Sequence, residues 1–161
     1  EAYESDLAPC RTFVFLHELE QLLDQDRRPG NVGFGLTYSL PIIVACLAAP
    51  KGSLLLLENP EAHLHPQGQA ALGELLARCA ADGVQIIVET HSDHLLNGIR
   101  LAAKQSLVPA EEVAIHFFNR SYETGEASVE SPQLLANGRL SAWPDGFFDQ
   151  WDKSLDALLD D

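Results

Sequence analysis

The sequence predicts an α/β domain in which helices flank a parallel sheet. Two short runs, 53–57 and 84–88, are mostly aliphatic and do not alternate with polar residues, which is typical of strands buried on both faces. A helical pattern separates these runs, and parallel strands are joined by right-handed crossovers. The repeated order of strand and helix along the chain is the third observation that favours this class.

The part of the chain before the first strand predicts two helices. Apolar residues recur at helical spacing over 13–23 until Arg27–Gly30 ends the segment. A glycine-containing turn over 31–35 follows. The apolar stretch 40–49 indicates a buried helix, and since proline is tolerated in a first turn, Pro41 predicts a helix start near 37–40.

The middle of the chain predicts two strand–helix units. Pro60 ends the first strand, and a helix with an apolar stripe of leucines begins near Pro66 and ends at Gly83. After the second strand, Ser92 can cap a helix with an apolar face formed by Leu95, Leu96, Ile99 and Ala102.

The C-terminal part predicts a third strand over 113–118, a turn over 122–126 and a return strand over 127–129. The end of the chain places apolar residues on one helical face, namely Phe147 or Phe148, Trp151, Leu155 and Leu158. We expect this face to pack on the same domain, and a helix that docks a partner is the alternative. The 161 residues form one predicted domain, with a core over 31–104 and C-terminal strands and helix over 105–161.

Composition limits the function. The chain is 46% hydrophobic and 21% charged, as expected for a globular domain, and its formal charge is −14. Such a charge repels phosphate backbones and anionic lipid, which argues against direct nucleic-acid binding. No apolar run has the length of a membrane span, so we expect a cytoplasmic protein. Cys10, Cys46 and Cys79 lie among aliphatic residues, which predicts buried reduced thiols.

Polar residues follow both predicted strands. Glu58-Asn59-Pro60-Glu61 ends the first strand, and 89–94 ends the second. Because parallel sheets bind ligands beyond the carboxyl ends of their strands, we expect one shared site. An acid after four aliphatic residues is typical of a Walker B strand, whose carboxylate associates with the Mg²⁺ that bridges nucleotide phosphates. A histidine after the neighbouring strand can contact a γ-phosphate or its attacking water.

These segments resemble parts of a known ATPase class. LLLLENPEAHLHPQGQ and IIVETHSDHLL resemble the Walker B/D-loop and switch-histidine segments of the ATP-binding-cassette (ABC) ATPases related to RecF, the structural-maintenance-of-chromosomes proteins and the OLD family. NVGFGLTYSLPII is similar to their signature region. NGRLSAWPDGFFDQ resembles the end of a bacterial subgroup of AAA-family ATPases that carry a C-terminal domain of unknown function. The resemblance implies the C-terminal lobe of a P-loop NTPase-like sheet.

The resemblance also implies roles for single residues of the Walker B and switch segments. Glu58 matches the Mg²⁺-associated acid, Asn59 matches the usual position of the catalytic glutamate, and His91 matches the switch histidine. Glu61 and His63 match the D-loop, which touches the other subunit in a nucleotide-closed dimer.

The signature region has its own implied contacts. Gly33, Phe34, Gly35 and Thr37 match it, and in this ATPase class it contacts the γ-phosphate of the partner's ATP. ATP and Mg²⁺ are therefore the expected cofactors, and a head-to-tail homodimer is the expected assembly. The implied biological setting is DNA maintenance or phage defence, with a nuclease or a DNA-linked protein as a candidate partner.

Two departures from the pattern bear on activity. Asn59 cannot accept a proton, and general-base catalysis typically contributes about 10²–10⁴-fold, so we expect slow hydrolysis unless Glu61 or Glu89 substitutes. The sequence contains no G-x-x-x-x-G-K-[ST] motif. We therefore expect it to be completed by a P-loop-bearing N-terminal part of the same protein, and to be inactive alone.

Two other functions stay open. His63, His65, His91 and His94 resemble pieces of metallohydrolase motifs, in which histidines two positions apart share a zinc or iron ion. The two histidine groups are far apart in sequence, however, and the chain is shorter than the about 250 residues of an amidohydrolase barrel. The third candidate is a module that dimerises on ATP without hydrolysing it, which suits an asparagine at position 59.

Overall fold

The computed structural model describes residues 34–120 and 125–159. Its elements are α1 (Phe34–Ala48), β1 (Leu54–Glu58), α2 (Pro66–Ala81), β2 (Gln85–Glu89), α3 (Asp93–Lys104), a 3-10 turn (Ala110–Glu112), β3 (Phe117–Arg120), β4 (Ala127–Glu130) and α4 (Gln150–Leu159). The predicted helix over 13–23, Cys10 and Gly33 lie outside the described residues.

Strands β1 and β2 form the predicted parallel pair. Their register runs from Leu54 opposite Gln85 to Glu58 opposite Glu89. The pairing extends one residue further, because the amide of Asn59 donates to the carbonyl oxygen of Glu89 at 3.0 Å. Both strands therefore end at the same edge, and the polar residues that follow them are neighbours.

The helices cover one face of this two-stranded sheet. Alternate strand residues (Leu55, Leu57, Ile86 and Val88) pack against a core of buried residues that includes Leu72, Leu75, Leu76 and Leu95. On the other face Leu54, Leu56 and Ile87 are 51%, 69% and 56% exposed. The prediction of strands buried on both faces is wrong for the described part of the chain, because no described element packs on this second face.

The pair α2 and α3 confirms the helices predicted between and after the strands. Pro66 begins α2 behind an N-cap at His65, and Ser92 caps α3 by accepting the amide proton of Leu95 at 3.0 Å. Gly73 and Gly98 face the partner helix, and a methyl group at either would overlap a carbonyl oxygen, that of Leu95 or of Ala70. The two main chains therefore touch.

Helix α1 begins earlier than predicted. It spans Phe34–Ala48 with Pro41 in its interior, so the expected start near 37–40 is wrong. Pro41 is exposed, which keeps its ring on the solvent side, although a proline here removes one helical hydrogen bond. Within the described ranges, no helix combines the length and the apolar character that crossing a membrane requires.

The third predicted strand does not join the parallel sheet. β3 starts at Phe117 rather than 113 and pairs antiparallel with β4, with Phe118 opposite Val129, which confirms the return strand. The expected strand start is wrong because Val113 and Ile115 pack instead against a second core that lies beside α3.

Helix α4 differs from the prediction. None of its described residues is buried, and Trp151 and Leu158 are 71% and 78% exposed. Phe147, just before the helix, is buried among aromatic rings, with centroids of Phe117 and Trp143 both 5.2 Å away. The expected packing of the helical face on the same domain therefore holds for Phe147 and is wrong for α4 itself.

Candidate functional site

The edge formed by the ends of β1 and β2 carries the candidate site. Glu58 and Glu89 are register partners and project from the open face of the sheet, because side chains of aligned parallel residues share a face. The Nε2 atom of His91 lies 3.0 Å from Oε1 of Glu89. The structure thus places Glu58, at the end of β1, and His91, two residues after the end of β2, at one edge, as the sequence predicts.

The donor set at this edge fits magnesium. Like charges directly opposite each other destabilise a strand pair, so the Glu58–Glu89 pair favours a cation. Mg²⁺ binds one or two carboxylates and takes its other ligands from phosphates and water. No group of three His, Cys, Asp or Glu side chains in residues 34–120 and 125–159 is arranged to hold a metal ion by itself. The residues therefore suit a metal shared with a substrate, rather than a cage of protein ligands.

Glu61 connects the two strand ends from below the surface. The residue is only 7% exposed, and Oε1 accepts the amide proton of His91 at 3.1 Å. The second oxygen, Oε2, is buried and has no hydrogen-bond partner among the described residues. A buried acceptor of this kind is uncommon and calls for an explanation.

The turn after β1, residues 59–64, has an unusual backbone. Asn59 and His63 have φ angles of 44° and 66°, in the left-handed region. Asparagine and histidine are among the residues that tolerate this region, which accounts for the asparagine independently of catalysis. Two hydrogen bonds of 3.0 Å, Ala62 N to Asn59 O and Leu64 N to Glu61 O, close the turn.

A glutamine joins this turn to the N-terminus of α3. Gln69 Nε2 donates to the carbonyl oxygen of Leu64 at 2.9 Å, and Gln69 Oε1 accepts from the hydroxyl of Ser92 at 2.6 Å. Ser92 also caps α3, so one hydroxyl serves the helix and the turn. Sequence reasoning found Ser92 but missed Gln69, because a polar residue in a first helical turn carries no signal of a distant partner.

The start of α1 packs on the same turn. A methyl group at Gly35 would come within 2.8 Å of the carbonyl oxygen of His63, and the Tyr38 and His63 ring centroids are 5.0 Å apart. Gly35 of the implied signature region and His63 of the implied D-loop therefore meet within one chain. Thr37, two residues after Gly35, is exposed.

The four histidines of the metallohydrolase alternative do not converge. His65 caps α2 by accepting the amide of Gln67 at 3.5 Å, His91 contacts Glu89, and His94 lies 3.7 Å from Asp93. In the part of the chain that the structure describes, these residues form no metal-binding group. The hydrolase alternative thus lacks the centre that it requires.

Comparison with known families gives the class. The profile described as "AAA domain, putative AbiEii toxin, Type IV TA system" matches residues 4–97, more than half of the chain. The chain belongs to this AAA-domain family. A family of unknown function, DUF3696, matches residues 108–158. No curated protein and no solved structure gives a significant match.

Membership of the AAA-domain family gives the chain the character of an ATPase-like, nucleotide-binding domain. The match contains β1, β2 and every residue of the candidate site, whereas the DUF3696 match contains β3, β4 and most of α4. The chain is thus an α/β unit of an AAA-family ATPase followed by a C-terminal segment of unknown function. The roles assigned to Glu58, Asn59, His91 and the signature region stay predictions.

Proposed function

We propose that this chain is the C-terminal lobe of an ABC-type, RecF- or OLD-like ATPase that binds ATP with Mg²⁺ and hydrolyses it slowly. The observation that carries the proposal is the common edge of Glu58 and His91, with Glu89 between them in contact with the histidine. Phosphoryl transfer needs little covalent chemistry from a protein, so charges held on rigid strands are what such a site requires.

Glu58 is the metal-associated acid of the proposed site. It is exposed at the end of a rigid strand, and Glu89 beside it adds a second carboxylate. When bound, Mg²⁺ would neutralise charge on the nucleotide phosphates. Strand β1 holds the carboxylate of Glu58 at a fixed place, which limits the positions that the phosphates can take.

In the proposed site, His91 is the residue that contacts the γ-phosphate of the nucleotide. Glu89 orients its ring, and Glu61 fixes its main chain, so the imidazole is held from two sides while its side chain stays accessible. A histidine held in this way can donate a hydrogen bond to a γ-phosphate or to an attacking water.

In this proposal, Asn59 limits the rate of ATP hydrolysis. Its amide can orient a water but cannot accept a proton from it, unlike a glutamate at the same place. The proposed enzyme therefore uses ATP mainly to close a head-to-tail dimer, in which one subunit's Glu58 edge faces the other's signature region, and hydrolysis opens it.

The proposal requires a phosphate-binding loop from elsewhere, since the sequence contains no such motif. A P-loop-bearing N-terminal part of the same protein is the proposed source. The biological setting proposed is DNA maintenance or phage defence, with a nuclease or DNA-linked partner. The family's description as a putative toxin of a type IV toxin–antitoxin system adds a third setting to test.

The test uses a protein in which this chain is joined to its P-loop part. We expect Mg²⁺-dependent binding of a fluorescent ATP analogue and slow phosphate release, and we expect Glu58→Gln to lower turnover by at least about 100-fold, as for the loss of a key electrostatic group. His91→Ala should keep binding and lose turnover. Glu130→Gln, an exposed acid on β4, is the matched control. Absence of ATP binding, or a Glu58→Gln variant as active as the wild type, contradicts the proposal.

A second candidate, an ATP-gated dimerisation module without hydrolysis, is favoured by Asn59 alone. Light scattering with and without ATP separates the two functions. Dimerisation on ATP with no phosphate release over hours would support the module, whereas release that depends on His91 supports the slow ATPase.

A further inference from the structure

Two hydrogen bonds join the turn 59–64 and the segment 89–94, and a further contact orders the segment itself. The amide of Asn59 donates to the carbonyl oxygen of Glu89, and Oε1 of Glu61 accepts from the amide of His91. The third contact, between Glu89 and the His91 ring, lies within segment 89–94 itself. Glu61 is thus the side chain of the turn that reaches the main chain of His91 and fixes where it lies.

Glu61 is a poor choice for stability alone. Its carboxylate is nine-tenths buried, one oxygen has a single neutral partner, and the other has none among the described residues. Burying a carboxylate with so few partners is unfavourable, and replacing a buried charge by an apolar side chain of similar volume is often neutral or stabilising. Stability therefore does not account for a glutamate here.

Direct proton acceptance does not account for it either. Oε2 has almost no contact with solvent, so a water that attacks a phosphate at the exposed edge cannot reach it in this structure. Glu89 cannot fill that role freely, because its carboxylate already contacts His91. What remains is the one contact that Glu61 does make, through Oε1.

We infer that Glu61 is a positioning residue, which holds the main chain of His91 in register with Glu58 and Asn59 at the expense of stability. The inference rests on the proposed function and adds to it a reason for the buried acid. Sites that must hold a precise geometry commonly keep groups that destabilise the fold, and their replacement raises stability while activity falls.

The first experiment needs no nucleotide and uses this chain. Glu61→Leu should leave the thermal midpoint unchanged or higher, and should speed amide exchange at His91 about tenfold, as for the loss of one hydrogen bond. Exchange at Leu95, in the core of α3, should not change. Glu61→Gln keeps an oxygen acceptor, so exchange at His91 should stay at the wild-type rate.

The second experiment uses the protein with its P-loop part. Glu61→Leu should lower kcat by about tenfold or more at unchanged affinity for ATP, since small misplacement of a catalytic group is costly. Glu61→Gln should stay within about threefold of wild type, because a positioning role needs the acceptor and not the charge.

Each other outcome overturns the inference. A Glu61→Gln variant as inactive as Glu61→Leu would assign Glu61 the proton acceptance that Asn59 lacks. A Glu61→Leu variant that melts earlier, with faster exchange at both His91 and Leu95, would make Glu61 a structural residue. If amide exchange at His91 is the same in Glu61→Leu as in the wild type, the hydrogen bond between Glu61 and the His91 amide does not hold this segment. If the wild type binds no ATP, the proposed function fails, and the exchange results still decide whether Glu61 fixes the segment.

Discussion

Arg100 donates its Nε proton to the main-chain oxygen of Gly138 at 2.8 Å. The guanidinium is held by the side-chain oxygen of Asn97 at 2.7 Å and lies over the ring of Trp143, 5.4 Å from its centroid. Gly138 has a φ of 78°, which suits glycine, and a methyl group there would crowd the carbonyl oxygen of Arg100. Helix α3 thus holds the segment matched by DUF3696 through Arg100, in addition to the second core, which includes Ala102, Ala103 and Leu134.

Removing this guanidinium should loosen the C-terminal segment. Arg100→Met keeps the aliphatic stem and loses the charged donor, and we expect a loss of about 1.5–3 kcal/mol, the range for hydrogen bonds to charged groups. In a Trp151→Phe background, the fluorescence of Trp143 should shift to the red as the ring gains water. Arg139→Met, at an exposed arginine, is the control and should change neither quantity. Equal effects of the two substitutions would contradict this role for Arg100.

The contact between α2 and α3 predicts strong sensitivity at two glycines. Gly73→Ala and Gly98→Ala each place a methyl group onto a carbonyl oxygen of the facing helix, so we expect each to destabilise the fold by about 1–3 kcal/mol, as overpacking does. The gain in helix propensity from glycine to alanine, about 0.5–1 kcal/mol, offsets only part of this. Urea unfolding measures the difference.

Gly68→Ala is the matched control in the same helix α2. A methyl group there meets only the Leu64 side chain, at an ordinary 3.6 Å, so alanine should be neutral or stabilise by about 0.4–1 kcal/mol. A loss at Gly68 as large as at Gly73 would show that the helix, and not the contact between main chains, is the cause.

The buried cysteines should be inert in the folded chain. Burial, with Cys79 as a neighbour, raises the pKa of Cys46 from 9.0 to about 12, and burial also raises the pKa of Cys79. Because the thiolate is the nucleophile, neither thiol should react with an aromatic disulfide reagent at pH 8 in a Cys10→Ser background until urea unfolds the protein. Rapid labelling without urea would contradict the burial.

The raised pKa of Cys46 also predicts that the folded chain loses stability at alkaline pH. Between pH 9 and about 12 the unfolded state loses the Cys46 proton while the folded state keeps it, so the unfolded state binds fewer protons and the free energy of unfolding falls as pH rises. The stabilisation is complete below pH 9. Cys46→Ala should reduce the slope of stability against pH in this window, whatever its effect at pH 7.

Substitutions at position 59 distinguish the effect of the side chain on backbone strain from its effect on catalysis. Asn59→Glu, in the protein with its P-loop part, should raise turnover because a glutamate can accept a proton, and it should cost about 1 kcal/mol of stability because a glutamate is strained at a φ of 44°. Asn59→Gly tolerates the positive φ angle without strain but lacks the side-chain amide, so this variant should keep the fold and lose turnover. Unchanged or lower turnover in Asn59→Glu would show that position 59 does not limit the rate.

The sequence predicted the elements around the site well, because each has local signals. The aliphatic runs marked β1 and β2, Pro66 marked the start of α2, and Ser92 marked the cap of α3. Because parallel strands end at the same edge, the meeting of their polar ends followed from the fold class alone.

Features that depend on distant partners were not predictable. Uniform aliphatic runs look alike whether one face or two are covered, so the exposure of Leu56 and Ile87 could not be read from them. The burial of Glu61 arises from a contact with His91, thirty positions along the chain. The predicted start of the third strand at 113 was wrong because Val113 and Ile115 join a second core, which their apolar character alone does not identify.

Because Gly73 and Gly98 let two helices meet main chain to main chain, we expect α2 and α3 to move together as one rigid pair. Gln69 and Ser92 join one end of this pair to the edge where β1 and β2 end, and Arg100 joins its other part to the C-terminal segment. A shift of this pair at the strand-end edge should therefore displace the C-terminal segment as well.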